Sequence, residues 1–161
     1  MRYVRRVLQP GETIVYTTKL HWLIYIHTIL LSIACIILAG AAIATSDNQG
    51  ISLALGIAAV IFALLALSAG LRAFIRRSTT ELAVTDHRII YKSGLLSRHT
   101  IEMNRDKVES VDVDQTLLGR IFGYGTIIVR GTGGSLEPIR TIGDPLTFRS
   151  NITAGPPVAR S

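Results

Sequence analysis

The sequence predicts an α+β membrane protein: a two-helix transmembrane hairpin followed by a small, mainly-β domain with a short C-terminal helix. Three observations carry that reading. Two long stretches, Leu20 to Ser46 and Asn48 to Leu71, contain no Asp, Glu, Lys or Arg. From Ser78 onward the helical period gives way to short alternating runs separated by turn residues, as strands require. Near the end, Asp144-Pro145 offers a helix start with Pro at the first helical position. Composition agrees, with 48% of residues apolar and only 17% charged, against roughly 25% charged in an ordinary soluble domain. The single cysteine, Cys35, excludes a disulfide scaffold.

The first two elements are the spans, expected over about residues 21–45 and 51–74 of a hairpin at 21–75. Each uncharged stretch exceeds the ~20 residues a helix needs to cross the hydrocarbon core. Trp22–Ala44 holds 11 Leu and Ile, and Ile51–Leu71 holds 11 Leu, Ile, Val and Phe. At −0.3 to −0.6 kcal/mol each, either run gains about 3–7 kcal/mol on insertion. The formal charge of +6 is unevenly placed. Residues 1–20 form a basic segment containing Arg2, Arg5, Arg6 and Lys19, and Arg72, Arg76 and Arg77 follow the second run as a stop-transfer cluster facing lipid headgroups. By the positive-inside rule both termini lie in the cytoplasm, at the inner membrane. Residues 78–161 carry ten basic against nine acidic residues, so a nucleic-acid partner is not expected. Ala42-Ile43-Ala44 has the form of a leader-cleavage site, but the preceding apolar run is too long for a leader.

Within the hairpin, small side chains fall on one stripe of each span. They are Thr28, Ser32, Cys35, Ala39 and Ala42 in the first, and Ser52, Gly56, Ala59, Ala63, Ala66 and Gly70 in the second. A seven-residue repeat of small residues lets two backbones approach closely in a left-handed crossing. The same stripe suits a second copy of the chain or another membrane protein. His21, Trp22 and Tyr25 sit at the cytoplasmic mouth, where amphipathic rings prefer the interface. His27 lies deeper, with no charged residue in either span to relay a proton.

The strands follow, in a cytoplasmic domain over 78–152. Glu81–Thr85 and Arg88–Lys92 flank a turn at Asp86-His87, and Arg98–Met103 and Lys107–Val113 come next. Thr126–Arg130 and Leu136–Thr141 form a hairpin across Gly131-Thr132-Gly133-Gly134, with Pro138 marking an edge strand. Thr13–Lys19 also reads as a strand on the same side of the membrane. Gln115–Phe122 reads as an amphipathic helical turn carrying Leu117, Leu118, Ile121 and Phe122. Leu146–Asn151 is a short helix that would dock Leu146 and Phe148, with Asp144 as its N-cap, and residues 153–161 are a tail.

Two blocks here resemble a known family. Thr85-Asp86-His87-Arg88-Ile89-Ile90-Tyr91 with Gly94-Leu95-Leu96-Ser97-Arg98 is similar to the opening of the bacterial pleckstrin-homology (PH-like) domains of the second class. The block from Val108 through Gln115, Gly119, Gly123 and Tyr124 to Gly125 resembles their central signature. Members often carry a two-span hairpin preceded by a Pro-Gly-Glu turn, like Pro10-Gly11-Glu12 here. The resemblance implies a PH-like barrel with a C-terminal helix and no enzymatic activity.

The motifs that could carry chemistry each lack a necessary part. Arg130-Gly131-Thr132-Gly133-Gly134-Ser135 lacks the Lys and helix of a phosphate loop. Gly123-Tyr124-Gly125 lacks the third glycine of a dinucleotide fingerprint. Asp112 and Asp114 share a strand face without a third metal ligand, and His87 and His99 have no nucleophile beside them. Arg88, Lys92 and Arg98 would have to cluster to hold a phosphorylated headgroup, in a domain that is nearly neutral. Asn151-Ile152-Thr153 is a glycosylation sequon that a cytoplasmic domain would not use. No cofactor, metal or small-molecule substrate is expected. The expectation is a non-catalytic membrane protein presenting an interaction or oligomerisation module, with an accessory role in transport or envelope defence against membrane-active peptides as the alternative.

Overall fold

The computed structural model describes residues 3–95, 99–132, 134–135 and 138–154. They divide into two compact units, Trp22–Ile75 and the combination of Met1–His21 with Arg76–Ser161.

The first unit is helical. One 3-10 turn (Trp22–Tyr25) leads into α2 (Ile26–Ala44), and α3 begins at Gln49 and continues to Thr79; α1 is the short helix Val4–Val7 of the other unit. Neither long helix contains proline, and Leu, Ala and Ile dominate both, so nothing interrupts the hydrogen-bond ladder. Thr45 closes α2, its hydroxyl donating to Ala41 O at 2.8 Å, and Asn48 Oδ1 accepts from the Ile51 amide at 3.3 Å to open α3. Gln49 and Gly50, expected in the link, are already helical, because this cap acts one turn earlier than the apolar run suggests.

Among the described residues the second unit has eight strands in two antiparallel sheets. β1 (Ile14–Thr18), β2 (Glu81–Thr85), β3 (Arg88–Ser93) and β4 (His99–Asn104) form the first, in that order. In the second, β6 (Tyr124–Gly131) pairs with β5 (Val108–Asp114) and also with β7 (Gly134–Ser135) and β8 (Ile139–Gly143). α4 (Leu117–Phe122) links β5 to β6, and α5 (Pro145–Thr153) ends the described fold. Leu82, Val84 and Ile89 of the first sheet meet Val111, Ile127, Val129, Ile139 and Ile142 of the second, with Phe148 and Ile152 of α5 completing the core. The sheets also touch at their rims: Leu20 bridges to Ile142, and the His21 amide donates to Thr141 O at 2.7 Å.

The N-terminal segment is part of this fold. β1 pairs with β2, and Val4 is buried with Ala83 and Ile90 on the reverse face of the first sheet. The buried Glu81 carboxylate accepts the amides of Tyr3 at 3.2 Å and Val4 at 3.1 Å, satisfying two donors at the start of α1.

Three local expectations are corrected. Of the strand expected at 136–141, residues 136 and 137 lie outside the described residues and the part from Ile139 is β8, which runs on to Gly143; Gly131 pairs with Gly134 of β7, so the return begins earlier. Pro138 stands just before β8, where its missing N–H costs no ladder bond. Asp144 does not cap α5 with its side chain; it lies at φ +48°, its amide donating to Gly123 O at 2.9 Å. Phe148 docks as expected, but Leu146 is exposed and Ile152 takes the second core position. Residues four apart share a helical face, and residues two apart do not. Arg98 and the end of the expected tail, 155–161, lie outside the described residues.

Candidate functional site

The opening motif folds into a clasp for the N-terminal segment. Asp86 and His87 form the two-residue turn between β2 and β3. The Thr85 hydroxyl accepts the amides of His87 at 3.3 Å and Arg88 at 2.9 Å, and donates to Glu12 Oε1 at 2.7 Å. Arg88 meets the same carboxylate twice, Nε to Oε1 at 2.9 Å and Nη2 to Oε2 at 2.7 Å. Its remaining donors reach Glu102 Oε2 at 2.6 Å and Val7 O at 2.8 Å. The Gln9 amide adds a bond to Glu12 Oε2 at 2.8 Å, and Gly11, at φ +87°, turns the chain to allow it. Asp86 completes the join by accepting the amide and hydroxyl of Thr13, both at 3.1 Å.

The side chains of Glu12 and Arg88 are 3% and 13% exposed. The hydrogen bond from Arg88 outweighs burial and holds the Glu12 carboxyl at a pKa of about 2, and the same contact raises Arg88. The His87 hydrogen bond brings Asp86 to about 2, and Asp86 in turn raises His87. A cleft of about 700 Å³ opens beside this turn, lined by Gln9, Asp86, His87, Arg88, Arg105 and Asp106 among others. Its guanidinium groups are committed to protein oxygens: Arg105 donates to the carbonyls of Asn151, Ile152 and Ala154 and closes the end of α5. Lys92 Nζ lies 5.5 Å above the Tyr3 ring. Arg88 and Lys92 thus face protein groups, and Arg98, the third of the set, lies outside the described residues. Among the described residues no cluster of three or more His, Cys, Asp or Glu could hold a metal ion.

The central block builds α4 and fixes it at both ends. Thr116 caps the helix by accepting the Gly119 amide at 3.1 Å, and Gln115 Nε2 donates to Tyr124 O at 3.1 Å. Gly123 ends it in the left-handed conformation at φ +71°. Gly119 is required by contact, since a Cβ there would stand 2.6 Å from Tyr124 O; at Gly125 it would stand 2.9 Å from Asp114 O. With Gly119 turned inward, the large side chains point out: Leu117 is 79% exposed, Leu118 59%, Ile121 75% and Phe122 47%. The apolar face expected of this helix thus lies on the protein surface. Tyr124 stacks on the His21 ring, with centroids 5.6 Å apart. Gly94, the remaining glycine of the opening block, sits at φ +90° at the end of β3.

In the hairpin unit the small residues of the first stripe, Thr28, Ser32, Cys35, Ala39 and Ala42, are half-buried, while Ile33, Ile36, Ile37 and Ile43 are exposed. Three contacts run between α2 and α3. Ser52 Oγ donates to Ala42 O at 2.8 Å, Cys35 Sγ to Ala59 O at 3.3 Å, and a Cβ on Gly70 would meet Thr28 Cγ2 at 3.2 Å. Ala59 and Ala66 are buried. Ala63 is exposed and nothing lies within 4 Å of a Cβ on Gly56. Ala73 is buried and was not expected on the stripe, although its spacing from Ala66 and Ala59 continues the seven-residue repeat. Of the basic cluster, Arg72 binds back to Ser68 O and Oγ, both at 3.1 Å, and Arg76 and Arg77 lie in the last turns of α3.

An apolar helical hairpin leading into two small sheets closed by a C-terminal helix defines the class of this chain. The family model described as Bacterial PH domain matches residues 19–154. The chain belongs to that family. Comparison with curated proteins gives no match, and comparison with solved structures gives none.

Proposed function

We propose that this chain is a non-catalytic integral membrane protein whose hairpin holds a PH-like interaction module at the cytoplasmic face of the inner membrane. The observation that carries the reading is the outer surface of α2 and α3. Both helices are long and apolar enough to cross a bilayer, with almost none of their apolar windows buried inside the protein. Ile36, Ile43, Leu53, Leu64, Leu67 and Leu71 all face outward. Monomeric soluble proteins rarely leave patches of that extent in water, whereas hydrocarbon satisfies them. Arg72, Arg76 and Arg77 at one end of α3 favour the cytoplasmic side.

The module works through surfaces, and its partners are the bilayer and either a second copy or another membrane protein. Among the described residues, β4 and β5 each have one edge without a ladder partner in their own sheets, and exposed edges are templates for strand addition. The clasped arginines and the two fixed turns support a rigid scaffold rather than a reaction site. Carbonate extraction and a topology reporter at the C-terminus test the placement: the full chain stays with the membrane and the reporter is active only inside the cell. Release by carbonate, or a signal only outside, refutes it. In-cell cross-linking tests the assembly role, which a strict monomer with no captured neighbour would refute.

A further inference from the structure

We propose that α4 is an interfacial anchor that inserts Leu117, Leu118, Ile121 and Phe122 into the cytoplasmic leaflet of the bilayer. This deepens the membrane reading above and rests on it. A six-residue helix with Leu117, Leu118 and Ile121 all facing outward needs a cover. The fold holds those side chains there deliberately, through the Thr116 cap, the Gln115 bond to Tyr124 O and the buried Gly119.

The occupant follows from where α4 is fastened. Gly123 and Tyr124 come directly after the helix, and Tyr124 stacks on His21. His21 is itself pinned by its bond to Thr141 O and precedes Trp22, the first residue of the apolar hairpin. A bilayer that receives the chain at Trp22 therefore begins within one residue of the ring on which α4 is mounted. Leu146, another exposed apolar side chain, is held at the same place, because the Asp144 amide binds Gly123 O. Charge fits a leaflet of anionic lipid. Arg120 is exposed on α4 and Lys19 is exposed beside His21, while Arg77 and Asp144 both act electrostatically on the His21 ring. With Asp114 and Asp144 on the acidic side, three basic groups against two acids leave a small basic excess around an apolar knob, as interfacial helices carry.

Depth-dependent fluorescence quenching tests this with the full chain in phosphatidylethanolamine–phosphatidylglycerol vesicles. In a Cys35→Ala background, an environment-sensitive dye is placed singly at Ile121→Cys, at Thr153→Cys at the far end of α5, or at Leu64→Cys within α3. Nitroxide lipids labelled near the glycerol should quench the dye at 121 more than lipids labelled near the acyl end, at a depth of about 5–10 Å. The dye at 153 should be quenched by neither, and that at 64 most by the deep label. A dye at 64 that no lipid quenches overturns the membrane reading itself. Quenching at 64 but none at 121 overturns the α4 anchor alone. A dye at 121 that is shielded from water yet unquenched by lipid assigns the knob to a protein partner and likewise overturns it.

Discussion

Replacing Glu12 by Gln should loosen the N-terminal segment while leaving its shape intact. Gln retains the volume and an oxygen for the Thr85 hydroxyl, but removes the charge that Arg88 faces at two atoms. The carboxyl is held at about 2 in place of its ordinary 4.5, and at 1.36 kcal/mol per unit that difference is about 3 kcal/mol. Breaking a buried pair from one side is expected to cost about 3–5 kcal/mol, which agrees. Hydrogen exchange of the β1 amides, Ile14–Thr18, in the detergent-solubilised full chain should then accelerate on the order of a hundredfold. The pH dependence has a definite sign. Because the folded carboxyl titrates below the unfolded one, the stabilisation is complete above about pH 4.5 and declines as pH falls toward 2. The gap between the native chain and Glu12→Gln should close over that same window. A double-mutant cycle with Arg88→Met isolates the pair, since an apolar residue of similar length leaves no unpaired cation. An exchange change under about threefold, or an absence of coupling in the cycle, would refute the clasp as an energetic element.

Other substitutions separate backbone constraints from packing. Gly119→Ala puts a Cβ 2.6 Å from Tyr124 O and should cost about 1–3 kcal/mol in thermal or denaturant unfolding; an unchanged midpoint would contradict the close approach. Gly123→Ala, at φ +71°, should cost about 1–2 kcal/mol and free the end of α4 to exchange. In the hairpin, Gly70→Val should weaken detergent stability through its contact with Thr28, whereas Gly56→Ala, with nothing within 4 Å, should be neutral. Thr28→Val removes a hydroxyl that is buried without a described partner and should leave thermal stability unchanged or raise it by about 1 kcal/mol.

What could be read from the chain beforehand depended on whether the cause was local. The two long apolar helices follow from unbroken hydropathy, and the strands from Glu81 to Asp114 from alternation bounded by turn residues, so each was visible in a local stretch of sequence. The long-range joins were not. Glu12 and Arg88 stood in separate motifs, and nothing in either announces that the carboxylate of one fills the guanidinium fork of the other across 76 positions. Opposite charge supplied the only hint, and the chain offers many such pairs. α4 illustrates a different limit. Its apolar spacing was legible, but spacing states only that one face is oily. Which way that face turns is decided by Gly119, whose missing Cβ lets the opposite side press against Tyr124 O. The glycine that looked like a family marker is thus what makes the hydrophobic knob outward-facing, so the most exposed apolar surface of this unit is set by the smallest side chain in the block.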